Sequence, residues 1–240
     1  MANGIDNFRY ATHLVPDIDA LPTRQKINFP EIIDHDFWQL YEIAKKYSMV
    51  HVTGFYNTFQ SLKYIADNRI AGDIVECGCF FGGMAIFIAL LCNQLGIWKR
   101  IVLFDTFEGP PIGSQSEVLG RPEKIDYKLP NYLAAVLANI AEAGLPTDQF
   151  ELVPGLVENT IPGAQIGSLS LLRLDTDFYS STKIELEYLY PHLSPGGVLI
   201  VDDYGFYQGS RSATDEYLAT LASKPLLNRI DIGVWAGVKP

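Results

Sequence analysis

From residue 73 onward the chain alternates short apolar runs with longer segments whose apolar positions recur every three or four residues. "DIVEC" (73–77), "RIVLFD" (100–105), "FELVPG" (150–155), "SLSLLRLD" (168–175) and the run 198–202 read as strands. Helical spacing covers 83–95, about 129–143, a segment starting near Thr182 and about 211–223. Thr182 and Glu185 fit a capping box for the third of these, and "LSPGG" (193–197) supplies its terminators. Strands apolar throughout, separated by helices, predict a parallel sheet covered on both faces. The closing "LLNRIDIGVWAGVK" (226–239) reads as two short strands meeting at Gly233, an antiparallel hairpin at a sheet edge. Upstream, Ile32, Ile33, Phe37, Leu40, Tyr41 and Ala44 place a helix over 30–47, with Pro30 in its first turn, and a second helix spans Thr58 to Asn68. Residues 1–70 thus read as a helical cap and 71–240 as the main domain. Residues 107–128, polar and rich in Pro and Gly, are too long for an ordinary connection and read as a lid.

Composition narrows the partners. An apolar fraction of 48% supports a substantial core, and a net charge of −10 argues against a nucleic-acid groove or an anionic membrane surface. A small sugar or cofactor ligand stays open. "MANGIDNFRYATHL" shows no apolar secretory core, and "MAIFIALLC" (84–92) is far shorter than the roughly 20 residues that span a bilayer. Cys77, Cys79 and Cys92 lack zinc-ligand spacing and read as three buried, reduced thiols in a cytoplasmic protein. The four histidines, His13, His35, His51 and His192, show no ligand spacing either.

Two strands end in paired aspartates, "LLRLDTD" and "VLIVDDYG", which aims four carboxylates at strand ends. That much like charge calls for something cationic among it. The first strand runs into "VECGCFFGG" (75–83), Glu76-x-Gly78-x-x-x-Gly82-Gly83, at a strand-to-helix junction. Glycines there let the backbone turn sharply and approach a ligand that meets helix-start amides. The next strand ends in Asp105, placed to accept both ribose hydroxyls of a nucleoside. The third glycine of a dinucleotide fingerprint is missing, and an acidic Glu76 beside the cofactor suits a cationic ligand better than a pyrophosphate. S-adenosylmethionine, with its ammonium and sulfonium, fits.

"DIVECGCFFGGMAIFIALL", "LFDTFEGPP", "LLRLDTDFYSSTKIELEYLYPHLSPGGVLIVDDYG" and "GSRSATDEYL" together resemble the macrocin/mycinamicin-type sugar O-methyltransferases, from about Met49 to the C-terminus. The resemblance implies a Rossmann-like α/β class I methyltransferase fold: a seven-stranded, mostly parallel sheet with an antiparallel last strand. It implies S-adenosylmethionine and a divalent cation such as Mg²⁺, with metal ligands at Asp175, Asp202 and Asp203. Such a cation prefers carboxylate oxygens and would neutralise the acidic cluster. Asp177, two residues beyond Asp175, is the candidate general base or else an orienting or turn residue, and Asp175 shares the catalytic site. Phe81 stands where the family often has Arg, Thr176 where it has Gly, and Ser180 where it has Glu.

Cofactor contacts are expected from Glu76, Gly78, Phe80, Gly82, Gly83, Asp105, Thr106 and Phe107, from Gly155 and Leu156 after the third strand, and from Met49 and Thr53. Glu158 could approach the cofactor too. Tyr179, Tyr204 and Tyr207 are expected to wall a sugar ring, and Arg211 to contact the substrate or pair with an Asp. The expectation is a Mg²⁺-dependent O-methyltransferase acting on a sugar or glycosylated small molecule, with an apolar N-terminal helix that could serve a homo-oligomer. An NAD-linked oxidoreductase and a non-catalytic S-adenosylmethionine-binding protein are the rivals.

Overall fold

The computed structural model describes residues 29–110 and 130–240 in full and, between them, the backbone of 115–118 and 121–124. The expectations for residues 1–28 and for most of the lid therefore lie outside the described residues. In chain order come α1 (His35–Ala44), α2 (Val52–Asp67), β1 (Asp73–Cys77), α3 (Gly83–Gln94) and β2 (Ile101–Asp105). A small antiparallel hairpin, β3 (Gln115–Val118) and β4 (Arg121–Lys124), occupies part of the lid segment. Then follow α4 (Leu133–Glu142), β5 (Phe150–Pro154), α5 (Val157–Thr160), β6 (Leu169–Leu174), α6 (Tyr179–Leu189) and β7 (Leu193–Val201). The chain closes with α7 (Gln208–Thr220), β8 (Asn228–Arg229) and β9 (Trp235–Val238).

The main sheet has seven strands in the order β5-β2-β1-β6-β7-β9-β8. β5, β2, β1, β6 and β7 are parallel to one another, while β9 runs antiparallel to β7 and to β8. This is the parallel sheet with a reversed edge that the sequence predicts. The strand order turns between β1 and β6, so the crevice at their C-terminal ends is where an open α/β sheet takes ligands.

Alternate residues of the strands feed two cores. Ile74, Leu103, Leu171 and Ile200 join α1–α4 on one face; Val75, Cys77, Leu172, Leu174 and Val201 join α5, α6 and the segment around Tyr190 on the other. Helix α3 is buried along nearly its whole length, which explains its unbroken apolar run. All three cysteines are free and buried, as read from their spacing.

Several boundaries shift. The first helix starts at His35, after a turn at 30–31, and the second begins at Val52, six residues before Thr58. Helix α6 starts at Tyr179, with Phe178 as an N-cap that makes no side-chain bond, so Thr182 is buried inside the helix and the capping box does not form. "LSPGG" belongs to β7, where the register slips opposite Leu169 and Leu171 and Gly196 takes φ +80°. Glycine tolerates that irregularity, so a terminator pattern became a bulged strand start.

Candidate active site

The cation demanded by the paired aspartates is in the chain itself. Arg173 sits in β6 opposite Glu76 of β1, so both side chains share one face of the sheet. It is 1% exposed, and its Nη1 donates to Glu76 Oε1 at 2.8 Å and to Asp175 Oδ2 at 2.7 Å, while Nη2 donates to Asp202 Oδ1 at 2.5 Å. One guanidinium thus serves three carboxylates from three strands. Glu76 Oε2 is buried with no hydrogen-bond partner among the described residues, and burial, only partly offset by Arg173, pushes this carboxyl up to about 7. An unpartnered buried oxygen beside the glycine turn is a natural acceptor for a donor on a ligand.

Asp175, Asp177 and Asp203 form the second half of the cluster, each offering an oxygen within 4.8 Å of the others. The Asp177 amide donates to Asp203 Oδ2 at 3.2 Å. Asp203 is 7% exposed, and burial together with the charges of Asp177, Asp175 and Asp202 raises its carboxyl well above the usual range. Of the expected ligand set, Asp175 and Asp203 converge, whereas Asp202 turns its Oδ1 to Arg173 and Asp177 takes the third place. Consecutive residues project in divergent directions, which separates Asp202 from Asp203. Arg173 carries one positive charge against the carboxyl groups of Glu76, Asp175, Asp177, Asp202 and Asp203. The excess of acidic oxygens suits a hard divalent cation.

Asp105 organises the glycine turn. Its Oδ2 accepts the amides of Cys79 (2.8 Å) and Phe80 (3.1 Å); its Oδ1 accepts the Phe107 amide (2.7 Å) and the Tyr132 hydroxyl (2.9 Å). Those four donors occupy the lone-pair positions of a carboxylate. The acid at the end of β2 therefore ties the glycine turn, the turn after β2 and the start of α4 into one unit. Gly78 is required by close approach: at φ +79°, a Cβ there would lie 1.9 Å from the Asp175 carbonyl oxygen. Phe80, Phe107 and Asp177 hold positive φ values of 49°, 53° and 69° without being glycine, and such backbone costs about 1–3 kcal/mol per residue. Two of these three, Phe80 and Asp177, line the crevice, while Phe107 is packed beneath it.

A cavity of about 540 Å³ opens over these groups. Its walls include Met49, Gly78, Phe80, Asp105, Thr106, Gly155, Leu156, Glu158, Asp175, Asp177 and Tyr179. Seven of the expected cofactor residues are thus at the wall. Glu76, Gly82, Gly83, Phe107 and Thr53 are not. Gly82 caps α3, Gly83 packs against Ala44 and Ser48, and Phe107 is fully buried. Thr53 donates to Asp231 Oδ2 at 2.6 Å. Of the residues expected to meet the substrate, Tyr179 donates to Glu216 and Tyr204 to Asp215, both at 2.6 Å. Arg211 stacks 4.9 Å over the Tyr204 ring and donates to the Tyr204 carbonyl, so it pairs with an aromatic residue where an Asp was one expectation. Tyr207 is the N-cap of α7. Arg173 and Tyr132 escaped the sequence reading. The signal for Arg173 was a charged residue inside a run otherwise read as wholly apolar.

The sheet order, reversed edge and glycine turn define a class I methyltransferase fold. Comparison with solved structures agrees: the O-methyltransferase NovP superposes with a TM-score of 0.70 at 26% identity, covering 80% of this chain and 82% of that one. The calicheamicin methyltransferase CalS11 gives 0.64 at 22% identity over 90% and 89% of the two chains. The profile of the family described as Macrocin-O-methyltransferase (TylF) matches residues 42–237, and the chain belongs to that family. It is 34% identical over 193 residues to the 8-demethyl-8-(2,3-dimethoxy-alpha-L-rhamnosyl)-tetracenomycin-C 4'-O-methyltransferase of Streptomyces olivaceus, covering 77% of this chain and 74% of the relative. It is 34% identical over 157 residues to the mycinamicin III 3''-O-methyltransferase of Micromonospora griseorubida, covering 62% and 61%. The protein is an O-methyltransferase. Among the described residues no helix is long and apolar enough to cross a membrane.

Proposed function

We propose that the protein transfers a methyl group from S-adenosylmethionine to a hydroxyl of a sugar or glycosylated small molecule, with a divalent cation such as Mg²⁺ at the acidic cluster. The observation that carries this reading is the convergence of Asp175, Asp177 and Asp203 beside a cavity entered by the glycine turn. The named relatives act on glycosylated natural products, which supports a glycoside acceptor. Family membership also weighs against the oxidoreductase rival.

On this reading the glycine turn at Gly78 would let the backbone approach the donor, and Glu76 Oε2, buried behind the cavity wall, would accept from its ammonium. Thr106, Gly155, Leu156 and Met49, all at the cavity wall, would line the nucleoside end. A ribose hydroxyl would reach Asp105 in exchange for the Tyr132 hydroxyl, the one side-chain donor among the four partners described for it. Asp175 and Asp203 would hold the cation, with Asp202 adjoining, and the bound ion would orient the acceptor hydroxyl and lower its pKa. Asp177 accepts the hydroxyl proton, and Tyr179, Tyr204 and Tyr207 border the sugar. Methyl transfer is a displacement, so alignment of oxygen, methyl carbon and sulfur is the main service the protein renders.

The test is methyl transfer from S-adenosylmethionine to a panel of deoxysugar glycosides, with and without chelator. Chelation should abolish turnover and added Mg²⁺ should restore it. Asp177→Asn should lower kcat by about 10²–10⁴-fold, the range of a lost general base. Full activity in chelator would refute the metal assignment.

A further inference from the structure

Glu185, inside α6, is fully buried, and its place in the hydrogen-bond network reveals its protonation state. Its Oε1 lies 2.8 Å from Thr176 Oγ1, while Oε2 meets no partner among the described residues. Thr176 Oγ1 also lies 2.8 Å from Ser181 Oγ, and Ser181 Oγ lies 3.0 Å from the Phe178 carbonyl oxygen. Thr176 and Ser181 bring one hydroxyl proton each. If Glu185 were a carboxylate, Thr176 would donate to it and Ser181 to Thr176. That would leave a buried charge with one hydrogen bond and one bare oxygen. The titratable groups around it make this worse: Cys77 from β1, Glu158 from α5, and Asp175 and Asp177 from the loop after β6 bear on it, all of them acids. If Glu185 keeps its proton, each donor finds an acceptor: Glu185 to Thr176, Thr176 to Ser181, Ser181 to the Phe178 carbonyl. No charge is then buried, which is much the cheaper arrangement. Burial correspondingly raises this carboxyl to about 8.

We propose that Glu185 is a neutral carboxylic acid that clamps the Asp175–Phe178 loop to α6 through Thr176 and Ser181, and thereby positions Asp177 beside Asp203. That loop needs a clamp, because Asp177 holds φ +69° and would relax if its surroundings allowed it. Glu185 is absent from the cavity wall, so it is a positioning residue acting through Thr176, which is part of that wall. The inference rests on the reading of Asp177 as base. Ionisation of Glu185 would pull the Thr176 proton away from Ser181 and set a new negative charge near Asp175 and Asp177. Turnover should therefore fall on the alkaline side.

The experiment uses the full-length protein and the variants Glu185→Gln and Thr176→Val. Infrared difference spectra of wild type minus Glu185→Gln at pH 7 should show the carbonyl band of a protonated carboxyl, and that band should fade as pH rises through about 8. Glu185→Gln, whose amide still donates to Thr176, should keep kcat within about threefold at pH 7 and lose the alkaline fall. Thr176→Val should lower kcat by about 10–100-fold, as for a misplaced reacting group, with S-adenosylhomocysteine affinity unchanged. The proposal is overturned if the protonated band is missing at pH 7, if Glu185→Gln loses more than about tenfold while folded, or if Thr176→Val behaves as wild type. A wild type inert on every glycoside would sink the functional reading. The infrared band would still decide the state of Glu185.

Discussion

Replacing Arg173 with Met should expose how much of this fold depends on one buried cation. The guanidinium is 1% exposed and donates to Glu76, Asp175 and Asp202 at 2.8, 2.7 and 2.5 Å. Methionine fills much of the same volume but leaves three carboxylates facing one another without a counter-charge. Removing one partner of a buried ion pair costs about 3–5 kcal/mol, because the other stays desolvated and unpaired. With a urea m-value of about 2–3 kcal/mol/M, the midpoint at pH 7.5 should fall by about 1.5 M. The sign of the pH dependence follows from linkage. Carboxyls deprived of their cation have folded-state pKa values above the unfolded one, so their contribution to stability is retained at low pH and lost as pH rises. Asp202 and Glu76, already raised by burial to about 8 and about 7 with Arg173 present, lead this effect. The deficit of Arg173→Met should thus be smallest near pH 5 and grow towards pH 8. The double variant Glu76→Gln/Arg173→Met should recover part of the loss, since the two sites are in contact. A midpoint within about 0.3 M of wild type at pH 7.5, or a deficit that does not change with pH, would refute the argument.

Three further outcomes concern the glycine turn and Asp105. Asp105→Asn removes the charge that collects three backbone amides and the Tyr132 hydroxyl. S-adenosylhomocysteine affinity should drop by about 10–100-fold in calorimetry, the worth of one or more charge-assisted bonds. Tyr132→Phe frees one acceptor position on Asp105 and should leave that affinity equal or tighter; a tenfold loss would show that ribose exchange is the wrong picture. Gly78→Ala places a Cβ 1.9 Å from the Asp175 carbonyl at a positive φ, so the turn and the end of β6 must separate. Cofactor binding should be lost together with about 2–4 kcal/mol of stability in urea unfolding, and a variant that binds as wild type would show the turn to be more yielding than it looks.

Much of the molecule was written in local pattern. The parallel strands were visible because each is a short run made mostly of apolar residues, and the reversed edge because two short strands meet around Gly233. The glycine turn and the paired aspartates were equally plain, since a spacing along one strand or turn survives into three dimensions. Helix starts were read less well at α2 and α6, where no polar side chain caps the first turn and tertiary packing sets the boundary. Glu185 was read as a local cap and proved to be a partner of Thr176, in the loop ahead of its helix.

What the linear chain determined, then, is which residue types arrive at the C-terminal ends of β1, β2, β6 and β7. What only the tertiary structure decided is how their charges are divided. Register places Glu76 beside Arg173, so a residue buried within an apolar run became the counter-ion for three acids. Divergence of neighbouring side chains sent Asp202 to that arginine and left Asp203 with Asp175 and Asp177. Coulomb energy at a few ångströms in a buried site outweighs any local preference, and those distances come into being when the strands pair.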